Sequence, residues 1–135
     1  MWLDNKINKF ILNLDTCLNT AYIHHKYVDL YTPFQSVYFS NVSAALNYIE
    51  DLQPLECALI ICSYQLSPNY TGLDFIEDVK FLYKKENKTI PFKILMLGDK
   101  FTSATCSTYS NSICLKNKPL IKDELLQFIN NLDLK

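Results

Sequence analysis

The sequence has 135 residues, of which 49% are hydrophobic and 20% charged, and its net charge is -1. This length is enough for one domain with a substantial core, so we expect residues 1–135 to form a single domain. All 13 basic residues are lysines and only 2 glycines are present. These totals exclude bidentate arginine contacts to phosphate, a glycine-rich phosphate loop and a basic surface for nucleic acid.

The cysteines are five in number: Cys17, Cys57, Cys62, Cys106 and Cys114. An odd number without a CxxC pair indicates reduced thiols in a reducing compartment. No apolar run approaches the length of a membrane span, and charged residues interrupt the amino terminus where a signal peptide would lie. We therefore expect a cytoplasmic protein without membrane contact.

The first 32 residues have two interpretations. Residues 10–14, followed by Asp15, can form a first strand, but apolar residues from Leu3 to Tyr22 also recur at helical spacing. The pattern leaves both open. We favour a strand ending at Leu14 and a helix over residues 16–31, which the following Thr-Pro pair would stop.

Strands and helices alternate along the rest of the chain. We predict strands at residues 36–39, 57–62, 92–97 and 112–115, and helices that begin near Asn41 or Ser43, at Gly72, within residues 101–109 and at Pro119. Residues 57–62 are apolar at every position, which is typical of a central strand covered on both faces. The fold class that follows is α/β, a doubly wound parallel sheet of five βα units.

Chemistry in such sheets lies just beyond the carboxyl ends of the strands, where Ser63 follows the central strand. No G-x-S-x-G elbow surrounds this serine, so we interpret its hydroxyl as a local backbone cap. His24 and His25 are adjacent and would point apart on a helix, so we expect surface histidines and no metal site. Residues 15–20 contain no glycine for a flavin loop, and we expect no cofactor.

Three stretches resemble the receiver domain of bacterial two-component response regulators. Residues 58–75 resemble the phosphoacceptor strand, its loop and the start of the third helix, and residues 94–99 resemble the fourth strand and its switch residue. The most specific match is residues 114–125, which resemble the lysine–proline signature before the last helix. The resemblance implies a receiver/flavodoxin-like sheet of strand order 2-1-3-4-5, and it supports the strand interpretation of residues 10–14.

Receivers accept a phosphoryl group on an aspartate, with a metal-binding carboxylate cluster, a lysine and a Ser/Thr hydroxyl around it. The resemblance implies that most of these residues are replaced here. Ser63 occupies the position of the acceptor aspartate, and Thr16 replaces the second acid, which would follow Asp15. Gly98 replaces the hydroxyl-bearing switch residue and Leu115 the aromatic switch residue. Lys118 and Pro119 are retained. Asp15, Thr16, Ser63, Gly98, Asp99 and Lys118 would then form a vestigial phosphorylation pocket.

Asp15 alone is a poor magnesium site, and a neutral serine is a weak nucleophile without an adjacent base. We therefore predict a non-enzymatic, phosphorylation-independent protein-interaction module in a signalling or regulatory pathway. A partly buried Lys118 without a counter-charge would be costly, so we also predict a contact between its ammonium group and Asp15 or Asp99.

The resemblance implies a partner surface on the fourth helix, fifth strand and fifth helix, which also offers a route to a homodimer. Its residues in this chain are Thr105, Tyr109, Leu115, Lys116 and Lys122. Two alternatives remain open. One is phosphotransfer with Asp15 or Asp99 as acceptor, and the other is a small-ligand sensor that uses the emptied pocket.

Overall fold

The computed structural model describes residues 6–51, 56–85, 93–99 and 113–131. In chain order the elements are β1 (Lys9–Leu14), α1 (Leu18–Tyr31), β2 (Gln35–Phe39), α2 (Val42–Asp51), β3 (Glu56–Ser63), β4 (Gln65–Ser67), β5 (Tyr70–Thr71), α3 (Gly72–Lys85), β6 (Lys93–Gly98), β7 (Ile113–Asn117) and α4 (Lys122–Asn131). None of the helices in these ranges combines the length and the apolar character needed to cross a bilayer.

Five strands form one sheet in the order β2-β1-β3-β6-β7, and all of its neighbouring strands are parallel. Counted within this sheet alone, the order is 2-1-3-4-5, as predicted. Phe10 to Leu14 pair with both β2 and β3. The strand interpretation of these residues is therefore confirmed, and the helical one is wrong.

The sheet separates two apolar layers. Along β1, Leu12 lies in the layer formed with α2 and α3, whereas Ile11 lies in the layer formed with α1 and α4. In β3 every residue from Cys57 to Ser63 is buried, because strands flank it on both sides and helices cover both faces. The carboxyl ends of the parallel strands therefore meet at one edge of a buried sheet.

Four of the five predicted helices lie within the described residues, and the helix predicted within residues 101–109 lies outside them. One feature differs from the sequence-based expectation. The predicted loop after β3 contains a short antiparallel hairpin of β4 and β5.

The start of α1 also differs from the prediction. The helix begins at Leu18, with Cys17 as its extended N-cap residue, rather than at Thr16. The Cys17 N–H donates to Asp15 Oδ1 over 2.9 Å. This local turn holds the chain in a non-helical conformation for the three residues between β1 and α1.

Candidate functional site

Lys118 connects three strand ends at the carboxyl edge of the sheet. It follows β7, its main-chain N–H donates to the Gly98 carbonyl oxygen over 2.7 Å, and its bond to Pro119 is cis. Its ammonium group donates to Asp15 Oδ2 over 3.1 Å and to Ser63 Oγ over 3.0 Å. One residue thus contacts the ends of β1, β3 and β6.

The two partners of this ammonium group are buried. Asp15 is 3% exposed and Ser63 is 4% exposed, whereas the Lys118 side chain is 28% exposed. The other carboxylate oxygen of Asp15 accepts the Cys17 N–H, and the Ser63 hydroxyl donates to the Gln65 carbonyl over 3.3 Å. Since a buried carboxylate is costly without partners, the ammonium group and the amide together compensate Asp15.

Gly72 sets how closely the chain returns to this edge after the hairpin. Its N–H donates to the Tyr64 carbonyl over 2.6 Å. A Cβ atom at Gly72 would lie 2.8 Å from the Ser63 carbonyl oxygen and 3.0 Å from Met96 Cε. The first of these contacts is with backbone, so α3 can pack this closely against β3 only with a glycine here.

The structure brings together only part of the predicted pocket. Asp15, Ser63 and Lys118 meet through side chains, and Gly98 joins through its carbonyl group. Thr16 and Asp99 are exposed. Of the two carboxylates considered for Lys118, Asp15 is the one that forms the ion pair.

His24 was not predicted to lie near this site. The expectation of a surface histidine is wrong, because His24 is 5% exposed on the inner side of α1 together with Ala21 and Val28. Burial lowers its pKa, while the nearby Asp15 charge opposes that shift and the Lys118 charge adds to it. The spacing of His24 three residues after Ala21 and four before Val28 is the signal that identifies its buried position.

The site does not fit a divalent cation. Such ions require several oxygen ligands, but both carboxylate oxygens of Asp15 are already engaged by Lys118 and Cys17. Within residues 6–51, 56–85, 93–99 and 113–131, no three His, Cys, Asp or Glu side chains converge into a metal site.

The predicted partner surface is partly corrected. Leu115 is 6% exposed and packs in the core, so it is not an accessible anchor. Lys116 forms an ion pair of 2.8 Å with Glu124, and Lys122 Nζ lies 4.6 Å from the centre of the Tyr31 ring. Thr105 and Tyr109 lie outside the described residues.

A groove of about 500 Å³ follows β7 and α4, with Phe128 and Gln127 in its lining.

The chain matches no protein-family model and no curated protein sequence. It does match solved structures. A response regulator receiver protein from Pseudomonas putida has a TM-score of 0.69 at 16% identity, with 92% of this chain and 97% of that chain covered. The chemotaxis protein CheY4 of Vibrio cholerae has a TM-score of 0.65 at 17% identity, with coverage of 90% and 95%.

A response regulator receiver domain protein (CheY-like) from Methanospirillum hungatei is similar over 93% of this chain and 100% of that chain, with a TM-score of 0.64 and 12% identity. Likeness at this level of identity concerns the fold. The chain therefore has the fold of response-regulator receiver domains, and the resemblance read from its sequence is confirmed at that level.

Proposed function

We propose that this chain is an atypical receiver domain that acts as a phosphorylation-independent protein-interaction module in a signalling or regulatory pathway. The observation that carries the proposal is the engagement of the Lys118 ammonium group by Asp15 and Ser63. By the resemblance, this lysine would neutralise an incoming phosphoryl group, but here its charge is already compensated within the protein. We regard residues 1–135 as one non-enzymatic, cytoplasmic domain, in keeping with free thiols such as Cys17 and Cys62.

The surroundings of Ser63 support this proposal. Among the described residues, its hydroxyl oxygen contacts Lys118 Nζ and the Gln65 carbonyl oxygen. An ammonium group is a donor and the carbonyl is not a base, so neither activates the serine as a nucleophile. Its 4% exposure also keeps a phosphodonor away from the hydroxyl.

The same contacts support a single constitutive conformation. Lys118 bonds to the ends of β1, β3 and β6 without any added group. We propose that these bonds hold the loops at this edge in the arrangement that the partner recognises. A domain of this kind would need no phosphate to become competent for binding.

The test is incubation with acetyl phosphate and magnesium, followed by intact mass measurement. We expect no phosphoryl adduct, while a receiver with an acceptor aspartate treated in parallel gains one. A magnesium-dependent, acid-labile adduct would contradict the proposal. Asp15→Asn and Asp99→Asn variants would then locate the acceptor, and loss of the adduct in either one would establish the phosphotransfer alternative.

The small-ligand alternative makes a different prediction. Lys118 retains 28% side-chain exposure beside the buried Asp15, so a ligand would have to displace this ion pair. A ligand that binds the native state raises the melting temperature. We expect no such shift with phosphate or small carboxylates, and a concentration-dependent rise would favour the sensor function.

We propose that the partner surface includes Lys116 and Lys122. By the resemblance, it also includes Thr105 and Tyr109, from the predicted fourth helix. The partner is a regulatory protein or a second copy of the chain. Lys116→Glu and Lys122→Glu should weaken capture of the native partner or shift a dimer to monomer in light scattering. The matched control is Lys80→Glu on α3, whose side chain is 50% exposed. Equal binding by all three variants would contradict this surface.

A further inference from the structure

A partly buried polar network lies between α1 and the edge strand β2. His25 Nδ1 is 2.8 Å from Ser36 Oγ. The side-chain amide of Asn13, a fully buried residue of β1, donates to Ser36 Oγ over 3.1 Å and to the Val37 carbonyl over 2.9 Å. The network therefore connects β1, β2 and α1 through side chains.

The hydrogen-bonding capacity of each group limits the direction of the central hydrogen bond. Both amide hydrogens of Asn13 are used by Ser36 and Val37, so Ser36 Oγ acts as an acceptor toward Asn13. Its own hydroxyl proton lies within reach of His25 Nδ1. Donation of this proton to Nδ1 requires a neutral His25 ring with its proton on Nε2.

An acceptor is left without a partner in the same network. Asn13 Oδ1 is buried and makes no hydrogen bond within the described residues. A buried polar atom of this kind is costly and rare in proteins. A turn of the Asn13 amide about its terminal bond would place this oxygen beside Ser36 Oγ, where it would accept the hydroxyl proton.

The network supports an exposed aromatic surface formed by Tyr22 and Tyr38. The His25 and Tyr38 ring centres are 4.8 Å apart, and those of Tyr22 and Tyr38 are 5.4 Å apart. The two tyrosines are 45% and 36% exposed. A change in the orientation of the His25 ring would alter its contacts with both tyrosine rings directly.

We propose that proton uptake by His25 reverses its hydrogen bond with Ser36 and thereby makes the Tyr22–Tyr38 surface pH-sensitive. A proton from solvent binds Nδ1, which becomes a donor to Ser36 Oγ. The Ser36 hydroxyl proton must leave Nδ1 and turn toward another acceptor, so the side chains of Ser36 and Asn13 rearrange.

Burial, with the charged groups around His25, places this transition on the acidic side of the ordinary histidine pKa. Burial lowers the pKa of His25; the Asp29 carboxylate on the same helix opposes the shift, and Lys26 and Lys6 reinforce it. Lys6 precedes β1 and lies 3.7 Å from Asp29, so these two charges partly compensate each other. From β2, the titratable group that faces the ring is Tyr38.

The first test is the ¹⁵N spectrum of the histidine rings in the unmodified protein at neutral pH. We expect His25 Nδ1 to have the shift of an unprotonated acceptor and Nε2 that of an N–H. A proton on Nδ1 would overturn the proposal, because the hydrogen bond could not then reverse. This measurement needs no variant.

The second test follows the Asn13 side-chain amide and the Tyr22 and Tyr38 ring signals from pH 7.5 to 4.5. We expect them to move together with the His25 ring, and Ser36→Ala to uncouple the Asn13 signal from that step. The matched control is Ser43→Ala at an exposed position of α2, which should retain the coupling. Ser36→Thr keeps the hydroxyl and should also retain it. Protonation of His25 without movement of the Asn13 signal would overturn the proposal.

Discussion

The Lys118 ammonium group contacts Asp15 and Ser63. Replacing Lys118 by methionine keeps much of the side-chain volume but leaves Asp15, 3% exposed, without its counter-charge. Breaking a fully buried pair typically costs 3–5 kcal/mol, and because Lys118 is partly exposed we expect Lys118→Met to lower the free energy of unfolding by about 2 kcal/mol. Urea denaturation measures this change.

A double-mutant cycle separates the interaction energy of the ion pair from the other effects of each substitution on stability. Asp15→Asn removes the charge that Lys118→Met leaves unpaired, so the double variant should be more stable than the sum of the two single losses predicts. Lys122→Met is the control on the surface, with an expected change below about 0.5 kcal/mol. Strict additivity in the cycle would mean that the contact contributes no stabilisation.

His24 makes stability depend on pH. Its folded-state pKa lies below the ordinary value because of burial, so the unfolded chain takes up this proton first as the pH falls. Stability from His24 is therefore present above about pH 6.5 and is lost below it, with a slope of up to about 1.4 kcal/mol per pH unit. His24→Gln should flatten the acid side of the curve of unfolding free energy against pH. An unchanged slope would show that His24 is protonated equally in both states.

At the scale of elements, the packing of α3 on β3 depends on Gly72. A Cβ atom there would meet the Ser63 carbonyl oxygen at 2.8 Å, well inside normal contact. We expect Gly72→Ala to cost about 1–3 kcal/mol, since overpacking outweighs the better helix propensity of alanine. The comparison is Glu77→Ala on the exposed side of the same helix, and thermal unfolding of the two variants decides. Equal stability would mean that the two backbones can separate at little cost.

Elements defined by strong local patterns were predictable from the sequence. The apolar run of β3 indicated a central strand, and Asn41 was one of two proposed caps for α2. The structure has Asn41 Oδ1 accepting the Ala44 N–H over 2.9 Å. The β4–β5 hairpin was not predicted, because two or three residues per strand leave no periodic pattern to detect.

The site was predictable only where a charge had to be compensated. Lys118 and Asp15 are 103 residues apart in sequence, yet the loss of the expected acceptor carboxylate indicated that the lysine needed another partner. The burial of Leu115 and His24 was not anticipated. The helical spacing of His24 with Ala21 and Val28, and the alternation of Leu115 with Ile113 along β7, carried the signal for both positions.

At the scale of the whole molecule, the cysteines report on folding. Cys17 is exposed, and hydrogen bonding from Thr20 lowers the pKa of its thiol. Burial raises the pKa of Cys57, and it raises that of Cys62 to about 12. Iodoacetamide added to the native protein should therefore alkylate Cys17 well before Cys57 and Cys62. The two buried thiols should react only when the domain unfolds. Peptide mass mapping with and without urea measures this, and comparable native rates would show that β3 opens readily.

The separation of the interior by the sheet affects how this protein can tolerate change. Side chains under α2 and α3, such as Ala45 and Phe75, belong to a different apolar layer from those under α1 and α4, such as Val28 and Leu125. A volume change in one layer strains the close-packed neighbours of that layer first, since β-strand backbone lies between it and the other. A substitution on the inner side of the histidine-bearing helix therefore reaches the packing under α2 and α3 only through the strands.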